Sequence, residues 1–289
     1  MANLRVIRKR IASVKNTRQI TKAMKMVAAA KMRGAEERLV KSRPYARKLD
    51  EVISDLVSRT GIEQYLLLSG REEPKKAELI VITSDRGLAG GFNTQINKMA
   101  EEQYRALSAK YEQVTISVVG RKGRDYLKRR NYPLRRVYTS VLGQFDFSLA
   151  VEIGKEFVED FRAGEFDVAY LIFNEFLTAM SQNLVVRQIL PLAQVEARAR
   201  ATYVDFRYEP SQEEILETLL PRQAYYVLYK AFIESYAAEM GARMTAMDNA
   251  TRNAEDMIAA LTLQFNRARQ AAITKELMEI INGAEALKG

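Results

Sequence analysis

The chain of 289 residues contains no cysteine and no histidine. Without cysteine it can form no disulfide, thiolate nucleophile or cysteine metal site. Without histidine it lacks the usual general base near neutral pH, the Ser-His-Asp triad and the ligands of most zinc or iron sites. Hydrophobic residues make up 47% of the sequence, enough for a sizeable core. No apolar run approaches the roughly 18 residues of a membrane-spanning helix, so we expect any membrane association to go through a partner.

The net charge of +9 is concentrated at the N-terminus. The first 48 residues hold 15 of the 45 basic side chains and only two acidic ones, whereas the other 241 residues hold 30 basic and 34 acidic side chains. Such a basic block favours phosphates, anionic lipid or an acidic protein surface. No aromatic residue precedes Tyr45, which counts against single-stranded nucleic acid bound by stacking. A solvated face, an acidic protein partner and a nucleic acid or lipid all stay open here.

A helical pattern begins at Leu4 and continues to about Arg59. Its predicted buried face, from apolar residues at helical spacing, comprises Leu4, Ile7, Ile11, Val14, Ile20, Met24 and Val27. Pro44 predicts a kink or a break inside this segment rather than its end. The N-terminus lacks the apolar stretch of a secretory signal, so we expect Met1 to be the mature start.

The period changes between about Ala77 and Val204. Predicted strands are Glu78–Thr83, Val114–Val119, Asp167–Phe173 and, with the alternation of an edge or antiparallel strand, Asn183–Leu190. Predicted amphipathic helices are Thr94–Lys110 and Phe147–Arg162. Strands that alternate with helices indicate an α/β domain with a largely parallel sheet.

From Gln212 to the end the pattern is helical again and more regular. A 4, 3, 4, 3 spacing joins Met240, Met244, Met247, Thr251, Ala254, Ile258, Leu261, Phe265, Ala268 and Ala272. The pattern then shifts by one residue to Ile273, Leu277, Ile280, Ala284 and Leu287. A sustained 3.5-residue repeat predicts a left-handed coiled coil. Methionines are expected to pack in its seam rather than bind a soft metal, namely Met24, Met26, Met240, Met244 and Met247.

The predicted fold class is α/β, with an antiparallel coiled coil of the long N- and C-terminal helices and an inserted Rossmann-like α/β domain. We place the N-terminal helix at residues 1–60, the α/β domain at 76–205 and the C-terminal helix at 210–289. Because the first helix is shorter, the last turns of the second should project alone. Their apolar side chains predict a socket in another protein.

Three glycines follow the first predicted strand, at Gly87, Gly90 and Gly91. Their spacing fits neither G-x-G-x-x-G nor the P-loop, and no Lys-Ser or Lys-Thr follows them. We therefore predict a tight strand-to-helix turn and no bound nucleotide.

Three stretches resemble the gamma subunits of F-type ATP synthases. They are Ile11–Met32 (IASVKNTRQITKAMKMVAAAKM), Thr83–Asn93 (TSDRGLAGGFN) and Phe265–Ala284 (FNRARQAAITKELMEIINGA). Because they lie at the start, middle and end, the resemblance covers the whole chain. The chain also lacks the cysteine-bearing insertion of the chloroplast branch, so the resemblance favours a bacterial origin.

The resemblance implies the central rotor shaft of the synthase, which couples ion-driven rotation of the membrane c ring to ATP synthesis or hydrolysis by mechanical torque. The implied partners are a ring of three alpha and three beta subunits, the epsilon subunit and the c ring. Mg-ATP would bind the partner subunits, with no cofactor or metal and no catalysis on this chain. The implied location is the cytoplasmic face of the bacterial plasma membrane, as a peripheral subunit that touches the membrane only through the c ring.

The resemblance also implies contact residues. A catch that grips a loop of beta would comprise Arg269, Gln270, Thr274 and Glu276. Contacts with the lower end of beta would comprise Arg8, Lys9, Arg33, Asp85 and Arg86. Contacts with the c ring or epsilon would comprise Tyr203, Asp205, Phe206 and Tyr208. Periodicity alone would also suit a solvated coiled-coil face for the first group.

Two rival functions come from other classes. A nucleic-acid-binding coiled coil predicts steeply salt-dependent affinity for DNA or RNA, whereas the resemblance implies no nucleic acid. A nucleotide-using α/β enzyme predicts stoichiometric nucleotide binding to the isolated chain.

Overall fold

The computed structural model describes residues 2–60, 63–143, 146–178, 181–192, 209 and 211–286. Two long helices lie at the ends of the chain, α1 at Ala2–Thr60 and α6 at Gln212–Ala286. The chain divides into two compact units, residues 1–28 with 243–289, and residues 29–242. Both long helices contribute to both units, and the three-segment division expected from the sequence stays a prediction.

Both long helices continue through a proline. Pro44 lies inside α1 and Pro221 inside α6, so of the kink or break predicted at Pro44 the break does not occur. A proline removes one helical hydrogen bond. Here the turns after each proline bury apolar side chains in one core, among them Leu49 and Ala224, and this burial favours continuation of the helix.

The first unit is an antiparallel coiled coil, as predicted. Its cross-helix contacts join Arg18 to Glu255, Thr21 to Thr251 and Lys25 to Asp248. As the residue number increases along α1, the number of its partner on α6 decreases, and the two residue numbers of each pair add to 272 or 273. Ala2 is therefore level with about position 271, so the remainder of α6 extends past the start of α1.

The seam of α1 differs in part from the prediction. An unbroken 3, 4 series of buried or half-buried positions comprises Leu4, Ile7, Ile11, Val14, Arg18, Thr21, Lys25 and Ala28, and Met24, predicted for the seam, is half-buried next to Lys25. Ile20, Met26 and Val27 are instead 60%, 59% and 55% exposed, so their assignment to the seam is wrong. The heptad continues from Val14 through polar residues, each of which finds a polar partner on α6. The α6 seam is as predicted, because every position from Met240 to Ala272 in the 4, 3 series is buried or half-buried.

The second unit contains a five-stranded sheet in the order β3-β2-β1-β4-β5. Its strands are β1 Lys76–Ile82, β2 Gln113–Val119, β3 Leu134–Tyr138, β4 Val168–Phe176 and β5 Gln182–Leu190. The first four are parallel and β5 pairs antiparallel with β4. The shorter helices are α2 Leu66–Ser69, α3 Phe92–Ser108, α4 Arg121–Lys128 and α5 Phe147–Ala163. The sequence patterns did not predict β3 and α4, which are short and rich in arginine and lysine.

The two faces of the sheet enter different cores. Ile80 and Ile82 of β1 pack with α1, α5 and α6, whereas Leu79 and Val81 pack with α3 and α4. This alternation follows from the two-residue period of a strand. Because both faces are covered, we expect a ligand or partner to bind at the carboxyl ends of the parallel strands and the loops that follow them.

Candidate partner-contact surfaces

The predicted catch residues all lie exposed near the end of α6. Gln270 and Thr274 are one helical turn apart, and the Thr274 hydroxyl donates to the backbone carbonyl of Gln270 at 3.0 Å. Arg269 and Glu276 are two turns apart on a neighbouring face. The helix thus exposes a guanidinium, an amide and a carboxylate within about two turns, a donor and acceptor set that suits a polar loop.

The same end of α6 carries exposed apolar side chains. Ile273, Leu277, Met278, Ile280 and Ile281 are between 48% and 68% exposed. The α1 pairing stops near position 271, so these side chains have no facing helix in the part of the chain that the structure describes. A contiguous exposed apolar surface of this kind indicates a protein contact.

The basic positions predicted to contact a partner are exposed on α1. Arg8 and Lys9 lie exposed beside Ile7, which is buried in the seam. Arg33 is exposed in the second unit, next to buried Met32. These cations therefore point away from the cores and are available to an acidic surface.

Asp85 and Arg86 lie in the loop between β1 and α3, and their side chains differ in exposure. Arg86 is exposed, whereas the Asp85 side chain is only 14% exposed. One carboxylate oxygen of Asp85 accepts from the backbone N–H of Arg121 at 3.1 Å and from that of Ser140 at 3.0 Å. The Arg121 Nε lies 3.6 Å from the same oxygen. Asp85 is thus held within its own chain, and no sequence pattern indicated this contact.

The loop is the tight turn that the sequence predicts. Ser84 and Asn93 bind each other across it, with the Ser84 N–H donating to the Asn93 Oδ1 at 3.0 Å and the Asn93 Nδ2 donating to the Ser84 Oγ at 2.8 Å. Of the three glycines, Gly90 has a positive φ, 56°, which glycine adopts without strain. Leu88 has a φ of 65° and is 64% exposed.

The first three N–H groups of α4 are occupied by the loop after β1. Arg121 donates to the Asp85 carboxylate, Lys122 to the Ser84 carbonyl at 3.0 Å, and Gly123 to the Thr83 hydroxyl at 2.8 Å. Helix N-termini at the carboxyl edge of a parallel sheet commonly bind phosphate. Here the donors of α4 already have acceptors from their own chain.

A cleft of about 620 Å³ lies within the second unit, between α1, the β4–β5 hairpin and α6. Cations line it, among them Arg43, Arg47 and Lys230, together with Glu234. Glu234 is 5% exposed, its Oε1 lies 3.7 Å from the Lys230 Nζ, and its Oε2 is buried without a hydrogen-bond partner. Burial raises the pKa of Glu234 although Lys230 opposes the shift. The sequence patterns did not predict this site, because its residues are far apart in the chain.

The predicted contacts with the c ring or epsilon, Tyr203, Asp205, Phe206 and Tyr208, lie outside the described residues. Within the described ranges, no helix has both the length and the apolar character that crossing a bilayer requires.

Comparison with known proteins covers the whole chain. The family model described as ATP synthase matches residues 3–287. The chain is 50% identical to the ATP synthase gamma chain of Anaeromyxobacter sp. (strain K) over 291 residues, which covers 100% of both proteins. It is also 50% identical to the ATP synthase gamma chain of Geobacter metallireducens over 289 residues, again with 100% of both covered.

Solved structures share the fold. A chain from the central stalk and c-ring structure of the Tetrahymena thermophila mitochondrial ATP synthase has a TM-score of 0.59 and 29% identity, over 80% of this chain and 99% of that one. A chain from the Euglena gracilis mitochondrial ATP synthase has a TM-score of 0.69 and 21% identity, over 99% of this chain and 95% of that one, and shows the fold alone. By its family match and its full-length relatives, the chain belongs to the ATP synthase gamma chain family.

Proposed function

We propose that this chain is the central rotor shaft of an F-type ATP synthase, and that it couples ion-driven rotation of a c ring to ATP synthesis or hydrolysis on beta subunits by torque. The observation that carries the proposal is the long α6, which pairs with α1 through position 271 or so and then continues with exposed polar and apolar residues. The 50% identity to gamma chains over the full length supports it.

The coiled coil suits torque transmission. Its seam is buried or half-buried at each heptad position from Leu4 to Ala28, and cross-helix pairs join Arg18 to Glu255 and Lys25 to Asp248. A two-helix seam resists twisting better than a single helix, because twisting would separate packed side chains. The Lys25 hydrogen bond lowers the pKa of Asp248, so this ion pair persists to a lower pH than an ordinary aspartate would allow.

On this proposal the chain performs no bond chemistry, and Mg-ATP binds the alpha and beta subunits. The arrangement at α4 supports this view, since the N–H donors at that helix start are bound by the chain's own loop. We assign no cofactor or metal to the chain.

The proposed partners follow from the surfaces. The catch, Arg269 with Gln270, Thr274 and Glu276, and the apolar residues beyond it would contact the ring of three alpha and three beta subunits. The cations Arg8, Lys9, Arg33 and Arg86 would face acidic residues at the lower end of beta. Epsilon and the c ring complete the assembly at the cytoplasmic face of a bacterial plasma membrane, with no nucleic acid and no direct membrane contact.

The test is reconstitution with alpha and beta subunits of the same organism. We expect a complex of three alpha, three beta and one copy of this chain, with sustained Mg-ATP hydrolysis that the ring alone does not show. The double variant Arg269→Ala, Gln270→Ala should reduce hydrolysis, whereas Lys22→Ala, an exposed cation outside the predicted contacts, should not. If the chain stays outside the ring and binds DNA in low salt, the basic helix serves the rival function.

A further inference from the structure

Three loops at the carboxyl edge of the sheet are tied together by one carboxylate. Asp85 follows β1, Arg121 begins α4 after β2, and Ser140 follows β3. Asp85 accepts the backbone N–H of both Arg121 and Ser140. The Arg121 guanidinium also donates to the Ser140 hydroxyl at 3.3 Å, so the three residues form a closed triangle, hereafter the Asp85 brace.

Two residues near the brace have backbone conformations that non-glycine residues seldom adopt. Leu88 has a φ of 65° and Ser140 a φ of 64°. Such conformations persist only where surrounding contacts over-determine them, and they cluster at functional sites. The brace fixes Ser140 directly through its backbone N–H. The loop that contains Leu88 is fixed both by the brace and by the Ser84–Asn93 hydrogen bonds.

The loops that the brace joins carry an exposed leucine with exposed cations next to it. Leu88 is 64% exposed, and Arg86 and Lys122 are exposed beside it in sequence or in space. Lys122 lies over the loop, since its Cε would be 3.8 Å from a Cβ built on Gly87. This surface fits a partner that offers carboxylates around an apolar recess.

We infer that Asp85 is a positioning residue, which does not touch the partner but holds Arg86 and Leu88 in the geometry that an acidic partner surface with an apolar recess requires. The inference rests on the proposed function, in which this loop faces the lower end of beta. It separates two neighbours that the sequence had grouped as contacts: Arg86 is exposed towards the partner, the Asp85 carboxylate binds within the chain, and Leu88 is added as the apolar anchor.

The brace itself is tested on the free chain by amide hydrogen exchange. Asp85→Ala removes the acceptor, so the amides of Arg121 and Ser140 should exchange at least about tenfold faster, while the amides of β1 stay unchanged. The matched control is Asp125→Ala, which removes an exposed carboxylate of α4 that pairs with Arg124. Unchanged exchange at Arg121 and Ser140 in Asp85→Ala overturns the brace.

The positioning role is tested by a double-mutant cycle on affinity for the assembled alpha–beta ring. We expect Asp85→Ala, Arg86→Ala and Leu88→Ala each to weaken binding on the order of tenfold, about the effect of losing one interface anchor. Because Asp85 acts through Arg86, the affinity of the double variant Asp85→Ala, Arg86→Ala should be only slightly lower than that of whichever single variant has the lower affinity. Losses that multiply would show that Asp85 contacts the partner itself and would overturn the inference.

A rescue experiment adds a readout that loss of fold would not give. Formate is a small carboxylate that can enter the space left by Asp85→Ala, so it should restore affinity and slow exchange at Ser140, whereas chloride at the same ionic strength should not. If Asp85→Ala does not fold, Asp85→Asn retains one carbonyl oxygen that can accept both N–H groups and should keep most of the affinity; a loss as large as that of Arg86→Ala would count against the role. If the unaltered chain fails to bind the ring, the proposed function fails, and the exchange data still decide whether the brace exists.

Discussion

The hydroxyl oxygens of Thr21 and Thr251 lie 2.8 Å apart across the seam of the coiled coil. Both residues are buried, at 8% and 9% exposure, so the seam contains a buried polar layer, which lies between the Arg18–Glu255 and Lys25–Asp248 pairs. The Thr251 hydroxyl also lies 2.7 Å from the Met247 carbonyl, and the Thr21 hydroxyl 3.0 Å from the Arg18 carbonyl. Because each hydroxyl has one proton and the carbonyls only accept, two of these three contacts can be hydrogen bonds at one time.

Replacing both threonines by valine should cost less than the two single replacements together. Each single change leaves one buried hydroxyl without its cross-helix partner, which typically costs about 1 kcal/mol. The double change Thr21→Val, Thr251→Val keeps shape and gives an apolar layer, so we expect a result near neutral or stabilising. The measurement is the free energy of opening of the coiled-coil unit from native-state hydrogen exchange. Additive losses would show that the hydroxyl pair does not act as a unit.

The seam shows where sequence patterns suffice and where they do not. The α6 seam was predictable because its residues are apolar at a regular 3.5 spacing. The α1 seam was misassigned at Ile20, Met26 and Val27, which are exposed, because the heptad passes instead through the polar Arg18 and Thr21. The polar Thr251 could be placed in the α6 seam because apolar residues flank it at heptad spacing, whereas Arg18, Thr21 and Lys25 occupy successive seam positions and their partners are more than 200 positions away.

The same limit applies in the second unit. Of the strands predicted correctly, β1, β2 and β4 are largely buried apolar runs and β5 shows the alternation of an edge strand. In contrast, β3 contains Arg135 and Arg136, which bind carboxylates of β1 and α5. The contact residues were placed by resemblance, which identifies exposed positions such as Arg269. Resemblance does not reveal which direction a carboxylate faces, so the inward orientation of Asp85 required the structure.

Replacing the Arg135 guanidinium by an uncharged group should strongly destabilise the second unit. Its Nε donates to the Glu78 Oε2 at 3.0 Å, it also pairs with Asp160, and the Glu78 side chain has no solvent exposure. Arg135→Met leaves this carboxylate buried without its cation, for which we expect a loss of about 3–5 kcal/mol in the free energy of unfolding.

The control for this prediction is Arg124→Met, which breaks an exposed pair with Asp125 and should cost at most about 1 kcal/mol. The double variant Glu78→Gln, Arg135→Met removes the unpaired charge and should recover much of the loss. Urea denaturation of the four proteins measures this, and equal losses in the Arg135 and Arg124 variants would contradict it.

Alanine should have opposite effects at two helical glycines. Gly34 lies in α1, and a Cβ built there meets nothing within 4 Å, so Gly34→Ala should stabilise by about 0.5–1 kcal/mol through a better helix propensity. Gly123 lies in α4, and its Cβ would stand 2.8 Å from the Thr83 Oγ1 and 2.9 Å from the Val118 Cγ1. Gly123→Ala should therefore destabilise by about 1–3 kcal/mol. Thermal unfolding of both variants checks the signs, and a stabilising Gly123→Ala would mean that the α4 contact yields at no cost.

Glu234 should make the stability of the second unit depend on pH. Burial raises its pKa in the folded state, with Lys230 opposing and Glu175 reinforcing the shift. A raised folded-state pKa means that the folded protein binds this proton more tightly than the unfolded chain, whose glutamate titrates near about 4.3. The stability that the protonated carboxyl contributes is therefore complete below that value and is lost as the pH rises through the folded-state pKa.

Glu234→Gln, which keeps the shape without the charge, should be more stable than the original chain at pH 8 and equal to it near pH 4. Urea denaturation across this range measures the difference, with Glu217→Gln, an exposed position on α6, as the variant whose difference should stay flat. If Glu234→Gln is instead less stable at pH 8, the Lys230 attraction outweighs the cost of burying the carboxylate, and the cleft holds a net favourable ion pair.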